Sequence, residues 1–232
     1  MSHLHIPDGV LPVWLWLSGL AAALCLIFAA IYMQRKTDIK KQVPLLGMMS
    51  AVMLVSMNLE IVPIAYHVNL SVITGILIGP WLGIIAAFIV NIVLALIGHG
   101  GVTVVGLNTI VIGFEAVAGF SLFRLLKKIM PKGPAAGVAT FITLFLSTCL
   151  MLAIVAVANL DFVSNNLHGL HDVVESKTAD FLGLKYNFPT RFDFKFFATV
   201  ALAAGSVGWV IESFVTALAV RFISRVKPGM LE

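Results

Sequence analysis

The chain has 232 residues, is 60% hydrophobic and only 11% charged, with a mean hydropathy of +1.04 and a net charge of +4. Soluble domains carry about 25% charged residues, so this composition and its long apolar runs place the protein in a bilayer. Lys and Arg flank apolar segments and form no patch interleaved with aromatics, which excludes a nucleic-acid partner.

Residues 1–11 contain no Lys or Arg, so the first apolar run is not a cleaved signal peptide. That run, 13–33, spans roughly 32 Å as a helix. Trp14 and Trp16 suit an outer aromatic belt and Tyr32 an inner one. Arg35, Lys36, Lys40 and Lys41 follow in what reads as a cytoplasmic loop. A second span covers 43–62, and residues 63–70 return outside. Residues 69–78 form a short span ended by Gly79-Pro80, since irregular backbone at membrane depth must be satisfied by protein or a cavity. Spans at 81–97, 106–126, 135–158 and 196–222 complete the set, with a glycine-rich outer loop at 98–106 and an outer polar segment at 159–195. The expected fold is therefore one all-α membrane domain over 1–232, with about seven transmembrane helices, one of them short. Of the 15 Lys and Arg residues, 11 fall in the segments assigned inside, which puts the N-terminus outside and the C-terminus in the cytoplasm. Cys25 and Cys149 lie deep in apolar runs without a CxxC spacing and read as small buried hydrophobes.

Four sets of residues could carry chemistry. The first is the N-terminal segment 1–11, which opens MSHLHIPDG. A free amine, backbone amides and an early imidazole can wrap a metal in fused chelate rings, a planar nitrogen set that favours Cu(II) or Ni(II). With Met1 retained, the amine, two amides and the His3 imidazole fill four sites. With Met1 removed, Ser2 and His3 supply three nitrogens and leave the fourth position to another side chain. The alternative is two inert histidines, His3 and His5, in a solvated tail. The second candidate is His67, on the same assigned side and able to supply the missing ligand; taken alone it is an interfacial histidine bonded to backbone. His99, in a Gly-rich turn, is a lesser candidate. The third is the stretch NLHGLHDVVESK, where His168, His171, Asp172 and Glu175 would share a helical face as a weak metal-collecting surface or, more simply, a solvated amphipathic cover. The fourth is the polar set within spans: Asn58, Glu60, Asn91, Asn108, Glu115 and Glu212. Glu115 and Glu212 could relay protons in a free-standing cation carrier, but structural pairing with interior amides is favoured. No GxxxxGK[ST] loop, HExxH or defensible nucleophile arrangement is present, so nothing supports catalysis or ATP hydrolysis by this chain.

HIPDGVLP at 5–12, His67 twelve residues before GPW at 79–81, and GHGGVTVVGLN at 98–108 together resemble the CbiM/NikM family across nearly the whole chain. These are cobalt- or nickel-specific substrate-binding (S) components of energy-coupling-factor ABC transporters. The resemblance implies a transported Co2+ or Ni2+ and no organic cofactor. It also implies separate ATPase subunits, a transmembrane coupling (T) subunit and often a small auxiliary membrane protein, in a prokaryotic plasma membrane. Family members typically begin Met-His-Ile and hold the metal with the terminal amine, the second residue's amide and imidazole, and a histidine after the second span, which His67 matches. Here the HIPDG histidine is His5, and loss of Met1 would make Ser2-His3 the X-His terminus with His5 as an extra ligand. Met1, Ser2, His3, His5 and His67 are therefore the expected metal set, with His99, His168 and His171 secondary. Gly47 and Ala51 form a small-xxx-small pair on span two and are the expected docking face for the coupling subunit.

Overall fold

The computed structural model describes residues 12–35, 39–58, 68–98, 101–167, 178–181, 184–187 and 194–231. Helices organise it: α1 (Val13–Gln34), α2 (Ile39–Asn58), α3 (Ser71–Ile78), α4 (Pro80–Leu96), α5 (Val105–Leu126), α6 (Lys132–Leu167) and α7 (Phe194–Val226), then a 3-10 turn at Pro228–Leu231. The only other regular structure among the described residues is a small antiparallel hairpin between α6 and α7. There β1 (Thr178–Phe181) pairs with β2 (Leu184–Asn187), Thr178 opposite Asn187 and Phe181 opposite Leu184.

Four helical stretches are long and apolar enough to cross a bilayer: Val13–Gln34, Val105–Leu126, Lys132–Ala158 and Phe197–Val226. Gln42–Asn58 and Pro80–Leu96 are shorter apolar helices. At 1.5 Å per residue the 17 residues of α4 reach about 26 Å, just under the roughly 30 Å hydrocarbon core. The eight residues of α3 reach only about 12 Å. This short helix cannot cross alone, and seven of its eight residues are buried by neighbouring helices. It ends where the sequence says it should. Gly79 adopts φ 87° and ψ 165°, a conformation open to glycine, and Pro80 starts α4 at a position where its missing N–H costs nothing.

The outer surface of the helices is apolar, and polar groups are buried among the apolar core residues. Phe28, Leu96, Val207, Phe214 and Phe222 are exposed, while Glu115, Glu212, Thr140, Thr143 and Ser147 are buried. Lipid accepts apolar side chains as readily as protein does, so the interior is where polar groups find partners. The same logic corrects the reading of the cysteines. Both Cys25 and Cys149 are free thiols on exposed helix faces, not in the core.

Close helix contacts depend on small residues. An added Cβ at Gly75 of α3 would lie 2.8 Å from the carbonyl carbon and Cα of Ala116, and nearer still to its carbonyl oxygen. At Gly106 of α5 it would sit 2.8 Å from the Gly19 carbonyl carbon, against the backbone of α1. The α6–α7 pair closes in the same way at Gly137, where a Cβ would be 3.1 Å from the Ser213 carbonyl oxygen. Trp209 of α7 then fits edge-on between Phe141 and Phe145, at 6.0 and 5.5 Å between ring centroids.

The bundle has two distinct ends. At one, Leu15, Val104, Leu107, Ala158 and Ala201 pack together, gathering the start of α1, the start of α5, the C-terminal part of α6 and the N-terminal part of α7. At the other, Phe123, Ala135, Val220 and Leu231 cluster with Val72 and Ile76 of α3. There Lys127 Nζ donates to the Leu231 carbonyl oxygen at 2.8 Å.

Candidate metal centre and buried carboxylates

Every histidine of the chain, His3, His5, His67, His99, His168 and His171, lies outside the described residues, as do Met1 and Ser2. Among the described residues no group of three or more His, Cys, Asp or Glu is placed to hold a metal. The flanks of these segments are defined. Pro12 opens α1 and accepts from Leu15 and Trp16 backbone N–H groups at 3.0 and 3.3 Å. Gly98, beside His99, takes φ 80° as α4 ends, the tight turn expected of the glycine-rich loop.

The flank that follows His67 is held by several buried hydrogen bonds. Val68 and Asn69 are buried, at 4% and 0% exposure. Glu212 of α7 accepts two backbone N–H groups here, from Asn69 at 3.2 Å and from Leu70 at 3.1 Å, one on each carboxylate oxygen. Glu115 of α5 accepts from Asn69 Nδ2 at 2.5 Å and from the Ser71 hydroxyl on one oxygen. Its other oxygen accepts from the Ser147 hydroxyl of α6 at 2.5 Å. Both glutamates are fully buried and sit near the middle of their helices, so the 68–71 backbone is anchored at mid-height of the bundle. Non-helical backbone at membrane depth is stable only when protein satisfies it, and these carboxylates do so.

Leu70 adopts φ 56° and ψ 18°, the left-handed region, which costs a residue with a Cβ roughly 1–2 kcal/mol. Its neighbours offset that strain. Glu212 takes its N–H, and its carbonyl oxygen accepts from Thr74 N at 3.1 Å and from Thr74 Oγ1 at 2.8 Å, the first turn of α3. Asn69, Leu70, Ser71 and Ser147 escaped the sequence reading, although the polar pair flanking Leu70 in VNLSVITG, next to a break in an apolar run, was an available signal. Leucine in a left-handed turn offered none.

Two further intramembrane amides bond locally. Asn58 Nδ2 donates to the Leu54 carbonyl oxygen at 2.7 Å and Asn91 Nδ2 to that of Ala87 at 2.8 Å, both within their own helices. Glu60 lies outside the described residues. Gly47 and Ala51 lie on an exposed face of α2, where a Cβ added at Gly47 would meet nothing within 4 Å.

Helices with exposed apolar faces and polar groups buried between them, two of them too short to count as long spans and a third enclosed by the others, define a multi-span membrane protein. The chain belongs to the CbiM family: the family model, described as a cobalt uptake substrate-specific transmembrane region, matches residues 5–230. A Haloquadratum walsbyi protein provisionally named a metal transport protein is 27% identical over 237 residues, covering 98% of this chain and 93% of that protein. The fold is also that of a crystal structure described as a transition metal transporter, with a TM-score of 0.76 at 20% identity over 96% of this chain and 93% of that one. A truncated transition metal transporter gives the same TM-score and identity, covering 96% of this chain and 99% of its own. The protein is thus, by family, a membrane component of metal transport.

Proposed function

We propose that this chain is the substrate-binding component of an energy-coupling-factor importer for Co2+ or Ni2+, working in a prokaryotic plasma membrane. The family match carries the reading: it begins at His5, encloses His67 and runs to residue 230. The metal is held by the terminal amine, a backbone amide, the imidazole of His3 or His5, and the imidazole of His67. His99, His168 and His171 are at most secondary contacts. Nitrogen donors suit Co2+ and Ni2+ alike, so the choice between them rests on the geometry of the site and on metal supply. Energy comes from separate ATPase subunits, because the sequence has no phosphate-binding loop. The exposed Gly47–Ala51 face of α2 is where the coupling subunit docks, and a small auxiliary membrane protein completes the assembly. The N-terminus faces outside and the C-terminus the cytoplasm.

A proton-coupled carrier using Glu115 and Glu212 is the less economical reading. Scaffold backbone, an amide and hydroxyls are among the groups that bond these carboxylates, which supports a structural role.

The test is titration of the purified protein with Co2+ and Ni2+, with its native N-terminus and with a few residues added ahead of Met1. Mass spectrometry establishes the state of Met1 in the same samples. Tight binding should be lost on extension. Equal binding by both forms would remove the terminal amine from the site.

A further inference from the structure

The backbone that follows His67 in the sequence is held at Asn69 and Leu70 by two helices. That backbone is neither helix nor strand, and includes a leucine in the left-handed region. What defines its path is the set of acceptors on Glu212 and Glu115, which belong to parts of the chain 142 and 46 residues distant. Of the two, Glu212 has the more exacting role, since each of its oxygens takes a backbone N–H of consecutive residues. A glutamine keeps one such acceptor and sets an NH2 against the other N–H, donor facing donor.

We propose that Glu212, seconded by Glu115, is a positioning residue for the metal site: it fixes the 68–71 backbone from which the His67 imidazole reaches the ion. This inference rests on the reading of His67 as a ligand. Metal sites lose affinity when the groups that orient their ligands are removed, typically about 10- to 100-fold. A positioning role makes a specific demand. The loss must be transmitted through His67 and must vanish when His67 is absent.

The experiment is calorimetric titration of the full-length protein, in detergent and with its own N-terminus, using Ni2+ alone. It compares wild type, Glu212→Gln, His67→Ala and the double variant, with metal-free melting temperatures measured alongside. The N-terminal nitrogens should keep binding by His67→Ala measurable. Glu212→Gln should raise Kd about 10- to 100-fold, and the double variant should match His67→Ala within about two-fold. The same penalty in both backgrounds, or wild-type affinity for Glu212→Gln, would overturn the inference. If Glu212→Gln does not fold, Ser147→Ala removes one donor from Glu115 and leaves Glu212 intact. It should cost a few-fold in the His67 background and nothing without His67, and any other pattern counts against the proposal. Wild-type affinity in His67→Ala would refute the ligand reading itself. Loss there without loss in Glu212→Gln would refute only the positioning role.

Discussion

Replacing Gly75 with alanine should loosen the whole interior. The added Cβ would stand 2.8 Å from two backbone carbons of Ala116, where carbon contacts settle near 3.5 Å. Backbone cannot rotate aside as a side chain can, so α3 and α5 must separate by roughly 0.7 Å or more. Overpacking of this kind costs about 1–3 kcal/mol. The shift also stretches the Ser71 and Asn69 bonds to Glu115, and weakening bonds to a carboxylate adds about 1 kcal/mol or more. A total near 3 kcal/mol corresponds to a fall in melting temperature of roughly 6–12 °C for a chain of this size. Thermal unfolding followed by loss of the monodisperse elution peak measures it. Gly47→Ala is the matched control, because its new methyl meets nothing and helix propensity favours alanine by up to about 1 kcal/mol. If Gly75→Ala melts within a degree or two of Gly47→Ala, the close approach of α3 to α5 is not what holds the interior together.

Further outcomes follow from other parts of the molecule. Glu115→Ala leaves the Asn69 amide and the Ser71 and Ser147 hydroxyls without their buried acceptor, and should destabilise by about 3 kcal/mol in equilibrium unfolding. Leucine at both Gly47 and Ala51 should leave the melting temperature of the isolated chain unchanged and reduce co-purification with the proposed coupling subunit. Unchanged co-purification would move the docking face elsewhere. Saturating Ni2+ at about 100 times Kd should stabilise the fold by about 2.7 kcal/mol, and chelator should reverse it. Affinity should rise steeply with pH, because a terminal amine and an amide must lose protons to bind; a flat profile between pH 6 and 9 would argue for side-chain ligands alone.

The spans were legible because hydropathy and helix length are tied together in a bilayer. Expected ends at 81–97 and 106–126 became Pro80–Leu96 and Val105–Leu126, and Gly79-Pro80 marked the break between α3 and α4. Helix α6 continues to Leu167, past the expected end at 158, and the β-hairpin in the polar segment carried no strong pattern. What hydropathy does not encode is which side of a helix meets protein. Lipid and core are equally apolar, so Cys25 and Cys149 looked buried and proved exposed, and nothing in SVITGILI announced a helix enclosed by its neighbours. The carboxylates at 115 and 212 stood out by their charge. Their partners at 69–71 did not, since two are backbone N–H groups that every residue has.

The long reach of Glu212 also bears on how this protein is made. Residues 69 and 70 leave the ribosome more than 140 residues before the carboxylate that binds them. At 5–20 residues per second, that is a wait of roughly 7–30 s with the polar backbone of an eight-residue helix and its approach lacking their final partner. This stretch cannot enter the bilayer as an independent unit. It has to be sheltered, by the insertion machinery or by remaining in water, until α5, α6 and α7 arrive. Assembly at this point is therefore completed only when α7 is made, and a pause or truncation late in synthesis leaves residues 69 and 70 without the carboxylate that binds them.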